Sequence, residues 1–329
     1  GNVGIGTTSP YAKLSVVGET VSSYFTATST TATSTFSGGV SITGTGLNFG
    51  SNSLFYQNGQ PFLISSTTAA GNLTIGYQTP ATLDANGGLY YTGLGYQALS
   101  NATSTGYNTA IGYQALKGSA TISNPNVGYN TAIGYQVLTA NTTGYSNSAL
   151  GTSALSTNTT GYSNSAMGQD ALLYNTTGYQ NTAIGMSAIK NNTTGYQNSA
   201  LGANALITNT TGYSNTAMGL DVLHENTTGY QNTAIGQSVL YYNTTGFRNS
   251  VLGSGALYNN TSATSSVAIG AGAGRGPASY NAGEITAVGT ESLYSIATGA
   301  EDNTALGYRA GYGVTTGANN ILIGYQAGY

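Results

Sequence analysis

Apolar and polar positions repeat along this chain with a fixed period, and that period is the first structural fact it offers. From about residue 70 onward the same 17-residue pattern returns, as in NTTGYSNSALGTSALST (141–157), NTTGYQNTAIGMSAIKN (175–191) and NTTGYQNTAIGQSVLYY (226–242). A glycine closing the apolar step marks the register at Gly134, Gly151, Gly168, Gly185, Gly202, Gly219, Gly236, Gly253 and Gly270, always 17 apart. Small insertions extend the series to Gly76, Gly95 and Gly112 before it and to Gly289, Gly307 and Gly324 after it, which implies about 15 coils. A unit this short cannot hold the two helices of a helical repeat. The mid-repeat glycine and the Asn-Thr-Thr-Gly turn are poor helix formers. The pattern therefore predicts an all-β chain, a parallel β-solenoid or β-roll with one coil per repeat. Each coil is expected to hold a strand near 181–184, a tight turn at the glycine, a second strand near 187–189, and a turn at Asn-Thr-Thr-Gly-Tyr.

Coils stacked at the strand spacing of roughly 4.8 Å place equivalent residues above one another, and about 15 of them would form a rod of roughly 70 Å. One row is asparagine: Asn147, Asn164, Asn181, Asn198, Asn215, Asn232 and Asn249. Another is aromatic: Tyr145, Tyr162, Tyr179, Tyr196, Tyr213, Tyr230 and Phe247. Asn rows exchange amide hydrogen bonds between coils, and stacked rings bury area on each other.

Each unit carries apolar neighbours, Ala183-Ile184 and Ala188-Ile189 in one copy, and neighbours on a strand point to opposite faces. Small alanines suit the inside of a thin coil. That leaves an outer stripe of Ile133, Leu150, Met167, Ile184, Leu201, Met218, Ile235 and Leu252. A continuous apolar stripe does not stay exposed on a soluble protein, and closed symmetry is the usual way to cover it. The expected assembly is a homotrimeric fibre; a monomeric solenoid with both apolar positions inside a rounder coil is the alternative.

The step Asn-Thr-Ala-Ile-Gly-x-x-Ala-Leu resembles the head repeats of trimeric autotransporter adhesins, with their Ala-Ile-Gly-x-x-Ala hallmark. The resemblance covers about three quarters of the chain and implies a trimeric left-handed parallel β-roll. The adhesin repeat is usually shorter; the extra residues here form Asn-Thr-Thr-Gly-Tyr. Residues 2–17, NVGIGTTSPYAKLSVV, resemble a segment of bacterial and phage tail-fibre-like proteins, often followed by a C-terminal chaperone-peptidase domain.

Residues 1–70 lack the repeat and read as a separate β-stalk or adaptor before the repeat domain at 71–329. The low-complexity stretch 20–39, with Phe25 and Phe36, cannot bury a core in one chain and suits an intertwined stalk; a flexible linker is the alternative. Alternation at Val40 and Ile42, and at Leu54 and Tyr56, predicts short hairpin strands. The chain begins at Gly1 and ends inside a repeat, so it reads as a piece of a longer precursor.

Composition narrows the function classes. Charged residues are 5% of the chain against roughly 25% in ordinary soluble proteins. Six basic residues in no cluster offer nothing for a row of phosphates, and no apolar run can span a bilayer, so neither nucleic acid nor membrane insertion is expected. There is no Cys for disulfides or thiolate metal sites. His224, the one histidine, lies near Asp221 and Glu225 at variable repeat positions and reads as an exposed turn. Nothing marks a nucleophile beside it. The run 271–277, Ala-Gly-Ala-Gly-Arg-Gly-Pro, lacks the Gly-Lys-Ser/Thr ending of a phosphate loop. Too few aspartates are present for a calcium β-roll. Asn141, Asn158, Asn175, Asn192, Asn209, Asn226 and Asn243 each open an Asn-Thr-Thr turn, and so are also N-glycosylation acceptors by sequence. Thr rows beside them lack the Thr-x-Thr lattice of an ice-binding face.

The expectation is thus a non-enzymatic structural component of an extracellular fibre, with no cofactor and no metal, serving as spacer and adhesive surface on a microbe. Alternatives are a phage-type tail fibre binding a host receptor and a saccharide-binding solenoid. The expected partners are copies of itself and a surface receptor or glycan.

Overall fold

The structure is a computed structural model that describes the strands at 3–5, 14–16, 54–57 and 60–66 and residues 72–78, 90–101, 106–118 and 128–329. The expected stalk at 20–39 and the strand near Val40 and Ile42 lie outside the described residues. The chain divides into two compact units, Gly1–Phe49 and Gly50–Tyr329. In the first, β1 (Val3–Ile5) pairs in parallel with β2 (Leu14–Val16).

The second unit opens with β3 (Leu54–Gln57) and β4 (Gln60–Ser66), an antiparallel hairpin that contains the strand expected around Leu54 and Tyr56. β4 pairs antiparallel with β5 (Asn72–Ile75), and from there every pairing is parallel. The strands are β6 (Tyr90–Leu94), β7 (Tyr107–Ile111), β8 (Thr131–Ile133), β9 (Ser148–Leu150), β10 (Ser165–Met167) and β11 (Thr182–Ile184). They continue as β12 (Ser199–Leu201), β13 (Thr216–Met218), β14 (Thr233–Ile235), β15 (Ser250–Leu252), β16 (Val267–Ile269), β17 (Thr286–Val288), β18 (Thr304–Leu306) and β19 (Ile321–Ile323). The register is in phase throughout: Ala166 lies opposite Ala183, which lies opposite Ala200. The result is an all-β parallel solenoid of about 13 coils of roughly 17 residues, against the 15 or so counted from the glycine marks; the described residues contain no helix.

Positions within a coil are numbered here from the first Asn, so that Asn175 is position 1 and Ile184 position 10. Only one segment per coil is a strand, at positions 8–10 from β8 onward and one or two residues longer in β5 to β7. The second strand expected at 187–189 is instead a turn. Ser187 and Ile189 sit at φ of 56° and 50°, and the same two positions are left-handed in nearly every coil. Alternating handedness curls the chain, so Ala188 and Ile189 both point inward and both are fully buried. The opposite-face rule for a strand does not apply to this turn, and the second apolar pair belongs entirely to the core.

The interior is therefore a stack of three apolar columns: Ala at position 9, Ala or Val at 14, and Leu or Ile at 15, nearly all at 0% exposure. Burying a leucine contributes about 1.5–3 kcal/mol. Holding a non-glycine residue left-handed costs roughly 1–2 kcal/mol. Burial wins at position 15, and the backbone accepts the strain. Position 11 is different. Its glycines have φ between 125° and 145°, and a Cβ there would run into the backbone carbonyl of the next coil's glycine, as Gly185 would against Gly202. Close stacking of the coils requires glycine at this corner.

Candidate functional site

Two buried asparagine ladders run through the coils. In the first, at position 7, Nδ2 of each Asn from Asn147 to Asn249 donates to Oδ1 of the Asn one coil earlier at 2.8–3.2 Å. The second Nδ2 proton goes to a glycine carbonyl of the following coil, as in Asn181 to Gly195 at 2.9 Å. The backbone N–H of the next Asn also reaches the Oδ1, as in Asn181 N to Asn164 Oδ1 at 3.0 Å. The amide group is satisfied on every side.

The second ladder is the row of turn asparagines read from the sequence as glycosylation acceptors. Asn141, Asn158, Asn175, Asn192, Asn209, Asn226 and Asn243 are all buried. Asn175 Nδ2 donates to Asn158 Oδ1 at 2.7 Å and to Gly178 O at 3.0 Å, and the row repeats this at 2.7–3.1 Å between asparagines. Both amide protons are used inside the coil, and a sugar on Nδ2 has no room in the folded chain. The glycosylation reading is corrected on that ground. The Thr-Thr that completes the acceptor motif has its own role. The N–H groups of Thr176, Thr177 and Gly178 and the hydroxyl of Thr176 all converge on Thr193 O at 3.0–3.2 Å. A Cβ on Gly178 would collide with Asn175 Oδ1 and Gly195 O, which is why glycine follows the threonines.

The aromatic row lies outside the core, half-buried. Successive rings from Tyr145 to Phe247 are 4.8–5.0 Å apart and within 3–7° of parallel. The Tyr162 phenol is pushed up by burial and then by its neighbours Tyr145 and Tyr179. Because each ring covers the next, a ladder of this kind offers edges to solvent and few open faces, so the stacked rows and buried amides do not favour sugar binding along the ladders. A second tyrosine row, Tyr77, Tyr96, Tyr113 and Tyr135 at position 12, accompanies the first coils with rings 5.1–5.7 Å apart.

The stripe faces out. In the strands alanine is buried and its neighbour at position 10 is not: Leu150, Met167, Ile184, Leu201, Met218 and Leu252 are 36–48% exposed, with Ile133 and Ile235 half-buried. Ile269 and Leu306 continue it.

One region breaks the repeat. His224 at position 16 stacks on Tyr241, one coil on, at 4.6 Å, and Tyr241 stacks on Tyr258 at 5.2 Å. Arg275 lies over the Tyr258 ring at 5.0 Å. Glu225 Oε1 is 2.8 Å from His224 Nδ1, and Asn204 Nδ2 donates to Asp221 Oδ1 at 3.0 Å. Tyr242, exposed, stands at 69° to Tyr241 and 88° to Tyr258. Burial raises the Tyr241 phenol first, and Glu225 and Asp221 raise it further. The sequence reading of His224, Asp221 and Glu225 as a lone exposed turn missed this stack, because its partners are one, two and three coils away and join only when repeats are aligned.

The glycine-rich run also has a structural account. Gly272 and Gly274 fall at positions 13 and 15, both left-handed, with φ of 64° and 62°. Where Gly274 replaces the usual leucine, Ile285 fills the space, and a Cβ would meet both Leu257 and Ile285. Tyr280 is buried in the same irregular coil, and its hydroxyl donates to Gly274 O. Among the described residues no group of His, Cys, Asp or Glu could hold a metal ion, and no helix is long and apolar enough to cross a membrane. The chain matches no known family model, no characterised protein and no solved structure.

Proposed function

We propose that this chain is a structural component of an extracellular fibre, a spacer and adhesive surface at a microbial exterior, built from three copies packed along their stripes. The observation that carries this reading is the row of outward Ile, Leu and Met side chains on a solenoid whose buried asparagines pair with one another in ladders. A surface of such regularity that repeats an apolar rung every coil is suited to burial against an identical surface, and closed symmetry covers the whole length at once. Low charge supports the same reading, since packing identical chains side by side would otherwise set like charges against each other.

Cryo-electron microscopy of the native particle tests it. The expected image is a fibre of three parallel solenoids with the position-10 rows inside, attached to a cell envelope; attachment to a virion tail would make it the tail-fibre form of the same architecture. A solitary solenoid free in solution would overturn the proposal.

A further inference from the structure

The coils from 128 to 280 contain six charged side chains, Asp170, Lys190, Asp221, Glu225, Arg248 and Arg275, and three of these gather at the His224 stack. The chain's single histidine is there too. Four consecutive coils place His224-Glu225, Tyr241-Tyr242, Tyr258 and Arg275 at positions 16 and 17, an aromatic and charged run in place of residues such as Ser156-Thr157 and Ile207-Thr208. Beneath the first of these coils the turn-asparagine ladder is already complete without it, through Asn226 and Asn243. Two physical features distinguish the place from the rest of the surface. First, Tyr242 departs from the coplanar rows: it is 42% exposed and nearly perpendicular to both rings beside it, so the row does not cover it as the ladder rings cover one another. Second, Glu225 holds the coil position of Tyr242 one coil earlier, with its N–H bonded to Tyr241 O at 2.9 Å; Asp221 lies on that same preceding coil near Tyr241, whose ring is 4.8 Å from Tyr242, and Arg275 lies over Tyr258.

An aromatic platform with carboxylate acceptors alongside matches a pyranose: its C–H face packs on a ring and its hydroxyls donate charge-assisted hydrogen bonds. We propose that Tyr242, with Asp221 and Glu225, forms a binding site for a pyranose sugar on the side of the fibre. The inference deepens the adhesive part of the reading above and is independent of how many chains assemble.

The test is saturation-transfer NMR on the whole chain with methyl β-galactopyranoside and methyl β-N-acetylglucosaminide as probes. Transfer to ring protons of at least one sugar is expected, with affinity falling at least tenfold in Tyr242→Ala and in the pair Asp221→Asn with Glu225→Gln. Tyr174→Ala serves as control, since Tyr174 is an exposed tyrosine at the same coil position outside the stack, and should leave binding unchanged. Absence of transfer to either sugar, survival of binding in the Tyr242 or the carboxylate variants, or equal loss in the Tyr174 variant would each overturn the site. All variants are checked by circular dichroism and light scattering, so a change in assembly mass is read against the fibre proposal and not against the sugar site.

Discussion

Ile189 occupies, at φ 50°, a position where other coils place leucine or glycine. A β-branched side chain is the least tolerant of that conformation. Ile189→Leu is therefore expected to stabilise the chain by up to about 1 kcal/mol, read as a higher denaturant midpoint with unchanged slope. Gly185→Ala is expected to act strongly in the other direction. Positive φ and the clash with Gly202 O together cost about 2–5 kcal/mol, enough to lower the melting temperature visibly in circular dichroism. At this scale the glycine corner, the position-7 Asn row and the inward alanine were legible in the sequence, because each is a fixed residue type at a fixed spacing. The burial of Asn141 and its equivalents was not. Asn-Thr-Thr reads equally well as an exposed turn, and only the convergence of Gly144 O and Asn158 Nδ2 on the side chain shows otherwise.

Among the elements, the regular coils from β9 to β15 differ from the irregular stretch between β15 and β17. Asn243 Oδ1 ends its ladder without a donor, since Asn260 Nδ2 turns to Ala282 O, and Ser266 replaces the next position-7 Asn. An orphaned buried acceptor costs about 1–3 kcal/mol. Repeat arrays open locally where nearest-neighbour coupling is weak. Amide hydrogen exchange should show protection falling in residues 260–285 before it falls in 141–246; uniform protection across both would contradict the ladder account. Alkaline pH should act at two coils. Burial pushes the Tyr91 phenol from 10.0 up to about 12, and fully buried Tyr280 higher still. A raised phenol favours the folded state below the unfolded value, and that contribution is lost as pH climbs from about 10 through 12. Tyrosinate absorbance should therefore show these two groups titrating last, together with loss of the coil's dichroism. Element type was readable from the period, but the second strand was not correctly read. Leu and Ile in a left-handed turn leave the same apolar mark in sequence as a short strand does.

For the whole molecule, the stripe carries the fibre proposal. One rung per coil faces outward from β9 onward, exposed in most coils and half-buried at Ile235 and Val288, and its face continues to β19, where Ile323 is 64% exposed. Charged residues are only 5% of the chain, so assembly held by these rungs should depend little on salt between low and high ionic strength, unlike one held by ion pairs. The outward face of position 10 followed from the sequence alternation of Ala with Ile, Leu or Met; how many copies cover it rests on the adhesin-head resemblance and on symmetry. Multi-angle light scattering of the purified whole chain, beside the double variant Ile184→Asp and Leu201→Asp, addresses that directly. The account predicts a mass of three chains that falls to one in the variant while the β dichroism persists. A wild-type chain that runs as a stable monomer, or a variant that keeps the trimer mass, would contradict it.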